Sequence, residues 1–189
     1  VMNLTRVPPE EAVVRHFLDS LLVVPVLRPF ESLLDVGTGP GLPAWPIACL
    51  LPKTTVVALE SSSKPLSFLS EHPLPNLEVV QTRIEDWGRR ESFNVVTGRA
   101  FAPLAVQLEV SAPFCRVGGA VVPFRTAKEA DEARRFPARE LGLTMEETFE
   151  VELPGDGAVR MFPVFRKSKK TPAGYPRRWA EIKARPLGT

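Results

Sequence analysis

The chain has 189 residues, of which 44% are hydrophobic and 24% charged, and its formal net charge is +2, a profile that fits one globular domain over residues 1–189. No apolar run approaches the roughly 20 residues of a membrane span, and no secretory signal is visible at the start, so we expect a cytoplasmic protein. Cys49 and Cys115 stand alone, outside any CxxC pair, which favours two buried thiols and no metal site.

The charge is divided unevenly along the chain. Between Arg160 and Arg185, nine basic residues face a single acid, Glu181, for a balance of +8, whereas the preceding part of the chain carries −6. A basic tail, residues 166–189, on an acidic domain indicates a polyanionic partner. The alternative is a solvated charged tail with no partner.

The first predicted helix runs from residue 10 to about residue 24. Two prolines favour its start, and its apolar residues fall near helical spacing. Within it, His16 and Asp19 share a face because they are three residues apart. They form either a hydrogen-bonded surface pair or part of a helix that lines a cofactor or RNA cleft.

Residues 33–43, LLDVGTGPGLP, predict a buried strand that enters a glycine loop and then a helix over 44–51. Gly37, Gly39 and Gly41 can adopt positive φ and let a ligand approach the backbone. Because turns also collect glycine, the GxGxG spacing alone is a weak signal. It gains weight from a second strand, 55–59, that ends at Glu60, where an acid can accept hydrogen bonds from ribose hydroxyls.

The remaining elements predict a doubly wound α/β fold. They are a helix over 65–71, strands over 77–80 and 93–97, a helix over 102–114, a glycine turn at 118–119 with a strand over 120–124, a charged helix over 128–141 broken at Pro137, and a hairpin of 148–153 with 159–165. No strand is predicted after the hairpin. Arg99 follows a central strand directly, so it lies either in the ligand crevice of the sheet or at the surface start of a helix.

Several short motifs together resemble the glucose-inhibited division protein B family. They are NLT at 3–5, HFLDSL at 16–21, DVGTGPGLP at 35–43, RIE at 83–85, RAFA at 99–102 and TPAGYPRR at 171–178. The resemblance implies a class I, Rossmann-like methyltransferase fold with a mostly parallel seven-stranded sheet. It also implies transfer of a methyl group from S-adenosylmethionine to N7 of a guanine in 16S ribosomal RNA. Because family members usually have helices before the NLT motif, we expect a truncated N-terminus.

The resemblance also implies which residues bind the cofactor and the substrate. Cofactor-binding residues are Gly37, Gly39, Gly41, Leu42, Glu60, Ile84, Glu85 and Arg99, where the carboxylate of Glu85 could read the amino edge of adenine. Substrate-binding residues are His16, Lys64, Arg125, Arg177 and Arg178. The chain departs from the family pattern at Pro65, where a second basic residue is typical, and at Arg125-Thr126, where Lys-Gly is frequent.

The chemistry of guanine N7 requires no catalytic base, because this nitrogen has a lone pair and no proton at neutral pH. We therefore predict no catalytic side chain, a monomer, and 16S ribosomal RNA or the small ribosomal subunit as the partner. We also expect that truncation after Phe165 weakens RNA binding and leaves cofactor binding nearly intact. The alternatives are a methyltransferase with a small-molecule substrate, which the basic tail disfavours, and a non-enzymatic RNA-binding protein, which would not bind the cofactor.

Overall fold

The computed structural model describes residues 7–188, so the NLT motif at 3–5 lies outside the described residues. Seven strands form one sheet in the order β3-β2-β1-β4-β5-β7-β6. The strands are β1 Ser32–Val36, β2 Thr55–Glu60, β3 Leu77–Gln81, β4 Phe93–Thr97, β5 Cys115–Val121, β6 Leu143–Glu152 and β7 Val159–Lys167. The first five run parallel, β7 is antiparallel to them, and β6, antiparallel to β7, forms a hairpin with it at the end of the sheet. The predicted mostly parallel, seven-stranded fold is thus confirmed.

Helices cover both faces of this sheet. They are α1 Asp19–Leu21, α2 Ala44–Leu50, α3 Ser63–Glu71, α4 Leu104–Ser111, α5 Ala130–Arg135 and α6 Trp179–Ala184. A π-helical stretch, Val13–Leu18, precedes α1, and a short 3₁₀ turn, Ile84–Asp86, follows β3. Leu34 and Val36 of β1 pack in one apolar core and Leu33 in the other. Burial on both faces explains why β1 reads as a nearly continuous apolar run.

The C-terminal segment runs from the amino-terminal ends of the parallel strands to their carboxyl-terminal ends. Because β7 is antiparallel to β5, it ends at the edge where the parallel strands begin. There the buried amine of Lys167 donates to the carbonyl oxygens of Ala112, at 2.8 Å, and Leu141, at 3.1 Å, and to the hydroxyl of Thr171. The chain then passes α4, whose eight residues are all buried, and reaches the opposite edge at α6.

Several sequence-based boundaries differ from the structure. The strand β5 begins at Cys115 and includes Gly118 and Gly119, so the predicted glycine turn is wrong. Here the register shifts relative to β4, and an irregular strand accommodates glycines without a turn. The hairpin strands are longer than predicted, and β7 takes the first two residues of the predicted tail. The helix α6 was not predicted. Of the two thiols expected to be buried, Cys115 is buried and Cys49 is exposed.

Candidate functional site

Two cavities lie at the carboxyl edge of the parallel strands, where ligands bind in open α/β sheets. The smaller cavity, about 220 Å³, lies at the ends of β1, β2 and β3 and includes Gly37, Glu60, Ile84, Glu85, Phe101 and Trp179 in its walls. The larger cavity, about 650 Å³, lies beyond β4 and β5 and includes His16, Asp19, Arg99, Ala100, Arg125 and Arg160. Ala100 and Phe101 are adjacent in the chain, so the loop after β4 separates the two cavities.

The glycine loop leaves open space at one of its three positive-φ positions. A Cβ atom at Gly37 would collide with the ring of Phe101, and one at Gly41 would collide with Leu69. At Gly39, with a φ of +56°, a Cβ would meet nothing within 4 Å. Gly39 is therefore the loop glycine at which a ligand can approach the backbone.

Glu60 connects the glycine loop to the start of α3. Its carboxylate accepts hydrogen bonds from the backbone N–H of Gly39, at 3.2 Å, and of Ser62, at 3.0 Å. The last residue of β2 thus stands where the sequence placed an acid for ribose hydroxyls, and it faces the smaller cavity.

Asp35 is a buried acid beneath the glycine loop, and it is not among the site residues predicted from the sequence. Its Oδ2 accepts hydrogen bonds from the Thr38 hydroxyl, at 2.6 Å, and from the Ala44 N–H, at 3.1 Å. Its Oδ1 has no hydrogen-bond partner among residues 7–188. Complete burial raises the pKa of Asp35 to about 7. The signal in the sequence was a single acid inside an apolar strand.

Asp19 holds two arginines in the larger cavity. Its carboxylate, 4% exposed, accepts from Arg99 Nη1 at 2.7 Å and from Arg160 Nε at 2.6 Å. Arg99 Nη1 also donates to the carbonyl oxygen of Arg15, at 3.3 Å. These contacts fix the position of Arg99. It was predicted to bind the cofactor, but of the two cavities its side chain lines only the larger one.

His16 lies beside Arg99, with its Nδ1 3.4 Å from Arg99 Nη2. Partial burial, followed by the charge of Arg99, lowers the pKa of His16. The imidazole is therefore neutral at pH 7. Of the two readings of this helix, the structure supports the one in which His16 and Asp19 line a cleft.

Arg125 is almost fully buried in the wall of the larger cavity. Its Nη1 donates to the Ala102 carbonyl oxygen at 3.0 Å and to Glu129 Oε1 at 3.3 Å, and its Nη2 donates to the side-chain oxygen of Gln107. Burial lowers the pKa of Arg125, but a guanidinium stays charged at neutral pH. A positive charge is thus held rigidly at this wall.

The structure brings together only part of the predicted site. Three predicted basic residues line neither cavity: Lys64 and Arg178 are exposed, and Arg177 is paired with the buried Glu109. Gly39, Gly41 and Leu42 belong to the loop beside the smaller cavity and are not in its walls. Asp19 was placed at a cleft only as one of two alternatives. Arg160, Phe101 and Trp179 were not assigned as site residues from the sequence, because their neighbours lie far away along the chain.

Within residues 7–188, no cluster of three or more His, Cys, Asp or Glu side chains could hold a metal ion. The same residues contain no helix that is long and apolar enough to cross a membrane.

Comparison with known proteins shows to which family the chain is similar. The family model described as rRNA small subunit methyltransferase G matches residues 1–156. A relative named ribosomal RNA small subunit methyltransferase G from Caldanaerobacter subterraneus subsp. tengcongensis is 37% identical, over 98% of this chain and 83% of the relative. One with the same name from Symbiobacterium thermophilum is 38% identical, over 94% of this chain and 79% of its own.

Solved structures of other methyltransferases share the fold. A 1,6-didemethyltoxoflavin-N1-methyltransferase from Burkholderia thailandensis, solved with S-adenosylhomocysteine, superposes with a TM-score of 0.59 at 16% identity, over 85% of this chain and 80% of that one. A TehB-like SAM-dependent methyltransferase from Corynebacterium glutamicum gives 0.59 at 17% identity, over 80% and 88%. At such identities the likeness concerns the fold alone.

Proposed function

The chain belongs to the rRNA small subunit methyltransferase G family, and we propose that its two cavities divide the binding of cofactor and RNA between them. The protein is an S-adenosylmethionine-dependent methyltransferase that modifies N7 of a guanine in 16S ribosomal RNA. The smaller cavity takes the adenosine part of the cofactor. The larger cavity takes the target guanine and an adjoining phosphate.

One observation supports the first assignment: two carboxylates, Glu60 and Glu85, lie in the walls of the smaller cavity, beside a loop with an accessible glycine. Glu60 can accept hydrogen bonds from the ribose hydroxyls, and Glu85, at the 3₁₀ turn after β3, can accept from the adenine amino group. The open space at Gly39 admits a ligand beside the loop. The adenine amino group and the ribose hydroxyls fit these acceptors, and the cofactor has no phosphate that would require a helix terminus.

Fixed positive charge supports the second assignment. Arg99, Arg125 and Arg160 line the larger cavity, and buried or half-buried partners hold all three. A guanidinium suits a phosphate oxygen or the O6 of guanine. Contact with N7 itself would block methylation, so we assign these arginines to the RNA backbone and to the other acceptors of the base.

The residues of the chain bind the cofactor and the target guanine, orient them, and exclude water. When bound, S-adenosylmethionine supplies a methyl group on a positively charged sulfur. Guanine N7 loses no proton when it is methylated, so no side chain has to act as a base. The neutral His16 and the ion pairs of Asp19 fix the walls of the larger cavity. Catalysis by this protein is then mainly the placement of the base beside the loop at Ala100.

The proposal extends to the working state of the protein. It acts as a monomeric, single-domain enzyme in the cytoplasm, with the basic C-terminal segment beside the RNA. Sedimentation velocity of the full chain tests the monomer: a sedimentation coefficient that rises with concentration would contradict it.

Methylation of ribosomal RNA from cells that lack this modification tests the function. Small subunits and naked 16S RNA are incubated with S-adenosylmethionine and the protein, and the methylated nucleotide is located by nuclease digestion and mass spectrometry. We expect one methylated guanine, loss of activity in Glu60→Ala and Glu85→Ala, and normal activity in Asp86→Ala, an exposed neighbour of Glu85. Cofactor binding without RNA methylation would favour a small-molecule substrate. No cofactor binding would favour a non-enzymatic RNA-binding protein.

A further inference from the structure

Trp179 contributes an aromatic wall to the smaller cavity, although it belongs to the basic C-terminal segment. It is the first residue of α6, and its ring lies 6.0 Å from that of Phe101 with an interplanar angle of 52°. Both rings line the cavity together with Glu60, Ile84 and Glu85. The motif TPAGYPRR ends one residue earlier, so the resemblance assigned no role to this side chain.

Contacts on both sides of Trp179 fix its position. Two residues before it, Arg177 binds the fully buried carboxylate of Glu109 with Nη2 at 2.6 Å and Nε at 2.9 Å. Three residues after it, Ile182 is completely buried in the apolar core that also contains Leu34 and Val36. Arg177 Nη2 also donates to the carbonyl oxygen of Arg185, at 2.9 Å, which joins the two ends of α6. These contacts anchor the chain on both sides of Trp179, so the position of the indole is fixed by the fold.

Phe101 connects this wall to the glycine loop. Its ring packs so closely on Gly37 that a Cβ there would collide with it. The walls of the cavity thus contain two carboxylate acceptors, Glu60 and Glu85, and two aromatic rings, Phe101 and Trp179. A planar base needs this combination, because its rim forms hydrogen bonds and its faces stack.

We propose that Trp179 is a cofactor-binding residue whose indole packs against the adenine of S-adenosylmethionine. This inference rests on the proposed function of the smaller cavity and adds that the C-terminal segment completes it. It also reverses the expectation that deletion of the tail leaves cofactor binding intact. Removal of residues after Phe165 takes away the wall, so both RNA and cofactor binding should be lost.

Calorimetric titration with S-adenosylhomocysteine tests the role of Trp179. We expect Trp179→Ala to weaken binding about tenfold or more, the size of an aromatic–base stacking contact, and Trp179→Phe to retain most of the affinity. Arg178→Ala is the matched control, since it changes the adjacent exposed residue and leaves the wall intact. The same factor of loss is expected for 5′-methylthioadenosine, because the contact is with the adenosine part.

Fluorescence provides a second readout, in which Trp179 itself is retained. In the Trp45→Phe, Trp87→Phe double variant, Trp179 is the remaining indole, and saturation with S-adenosylhomocysteine should change its emission. Wild-type binding combined with unchanged affinity in Trp179→Ala, or with unchanged emission, would overturn this inference alone. Absence of binding by the wild type would overturn the proposed function together with it.

Discussion

Arg177 and Glu109 form a two-pronged ion pair between the C-terminal segment and α4. Glu109 is fully buried, and it accepts hydrogen bonds from Arg177 Nη2, Nε and backbone N–H at 2.6, 2.9 and 3.0 Å. This pairing raises the pKa of Arg177. The contact of Arg177 with substrate, expected from the sequence, remains a prediction, but the structure gives its guanidinium a partner inside the protein.

Arg177→Ala should destabilise the fold by about 3–5 kcal/mol, because it leaves the Glu109 carboxylate buried without its partner. Urea unfolding followed by circular dichroism measures the loss. Replacing both residues, as in Arg177→Ala with Glu109→Gln, should recover part of the stability, since no unpaired charge then stays buried.

The neighbouring exposed Arg178 supplies the control for this experiment. Arg178→Ala should change the free energy of unfolding by less than about 0.5 kcal/mol, as is usual for exposed sites. If Arg177→Ala behaved like Arg178→Ala, the ion pair would not anchor the segment.

Asp19→Asn should slow methyl transfer and leave cofactor affinity nearly unchanged. The carboxylate holds Arg99 and Arg160 with one oxygen each, and an amide in its place turns an N–H group towards one guanidinium. The loss of a charge-assisted hydrogen bond, about 1.5–3 kcal/mol, predicts a ten- to hundredfold lower single-turnover rate with bound RNA. Asp156→Asn, which alters a more exposed pair with Arg15, should have a much smaller effect.

A contact in this site can be predicted from the sequence only when the interacting residues lie close together along the chain. The glycine loop and Glu60 follow from a local strand–loop–helix pattern. The pairs of Asp19 with Arg99 and Arg160 span 80 and 141 residues, and no local pattern contains them. The helix α6 was missed because it is only six residues long and is flanked by prolines. A short helix of this kind is stabilised by tertiary packing, not by its own propensity.

Two exposed basic side chains outside both cavities should contribute to RNA affinity without affecting recognition of the target base. Lys64 lies in the first turn of α3, and Arg178 precedes α6. Lys64→Ala and Arg178→Ala should each lower the slope of log affinity against log salt by about one, as expected for one lost phosphate contact. Filter binding of 16S RNA between about 50 and 200 mM salt measures the slopes. An unchanged slope in either variant would remove that residue from the RNA surface.

Asp35 should make the stability of the protein decrease as the pH rises from about 4 to about 7. Burial raises its pKa from 3.8 to about 7, so the folded state binds more protons than the unfolded state in this window. The slope from this residue approaches about 1.4 kcal/mol per pH unit and vanishes above pH 7. Asp35→Asn, which can still accept from Thr38 and Ala44, should remove this contribution in urea unfolding measured at several pH values. An identical pH dependence in both proteins would contradict the raised pKa.

The rate of methyl transfer should be nearly independent of pH between about 6.5 and 8.5 in single-turnover reactions with bound RNA. Guanine N7 has no proton to lose, so no base has to titrate. His16 is the histidine beside the larger cavity, and its pKa lies below the usual value of about 6.5 because of burial and the nearby charge of Arg99. The neutral form of its imidazole therefore predominates throughout this range.

His16→Gln separates a structural role from proton transfer. Loss of the contact with Arg99 Nη2 should lower the rate by loosening the wall of the cavity, while the shape of the pH profile stays flat. General-base catalysis by His16 would instead give a rate that rises through its pKa, and this limb would vanish in His16→Gln. Such a result would mean that the methyl acceptor sheds a proton, as an amine or hydroxyl does, and N7 could then not be the acceptor.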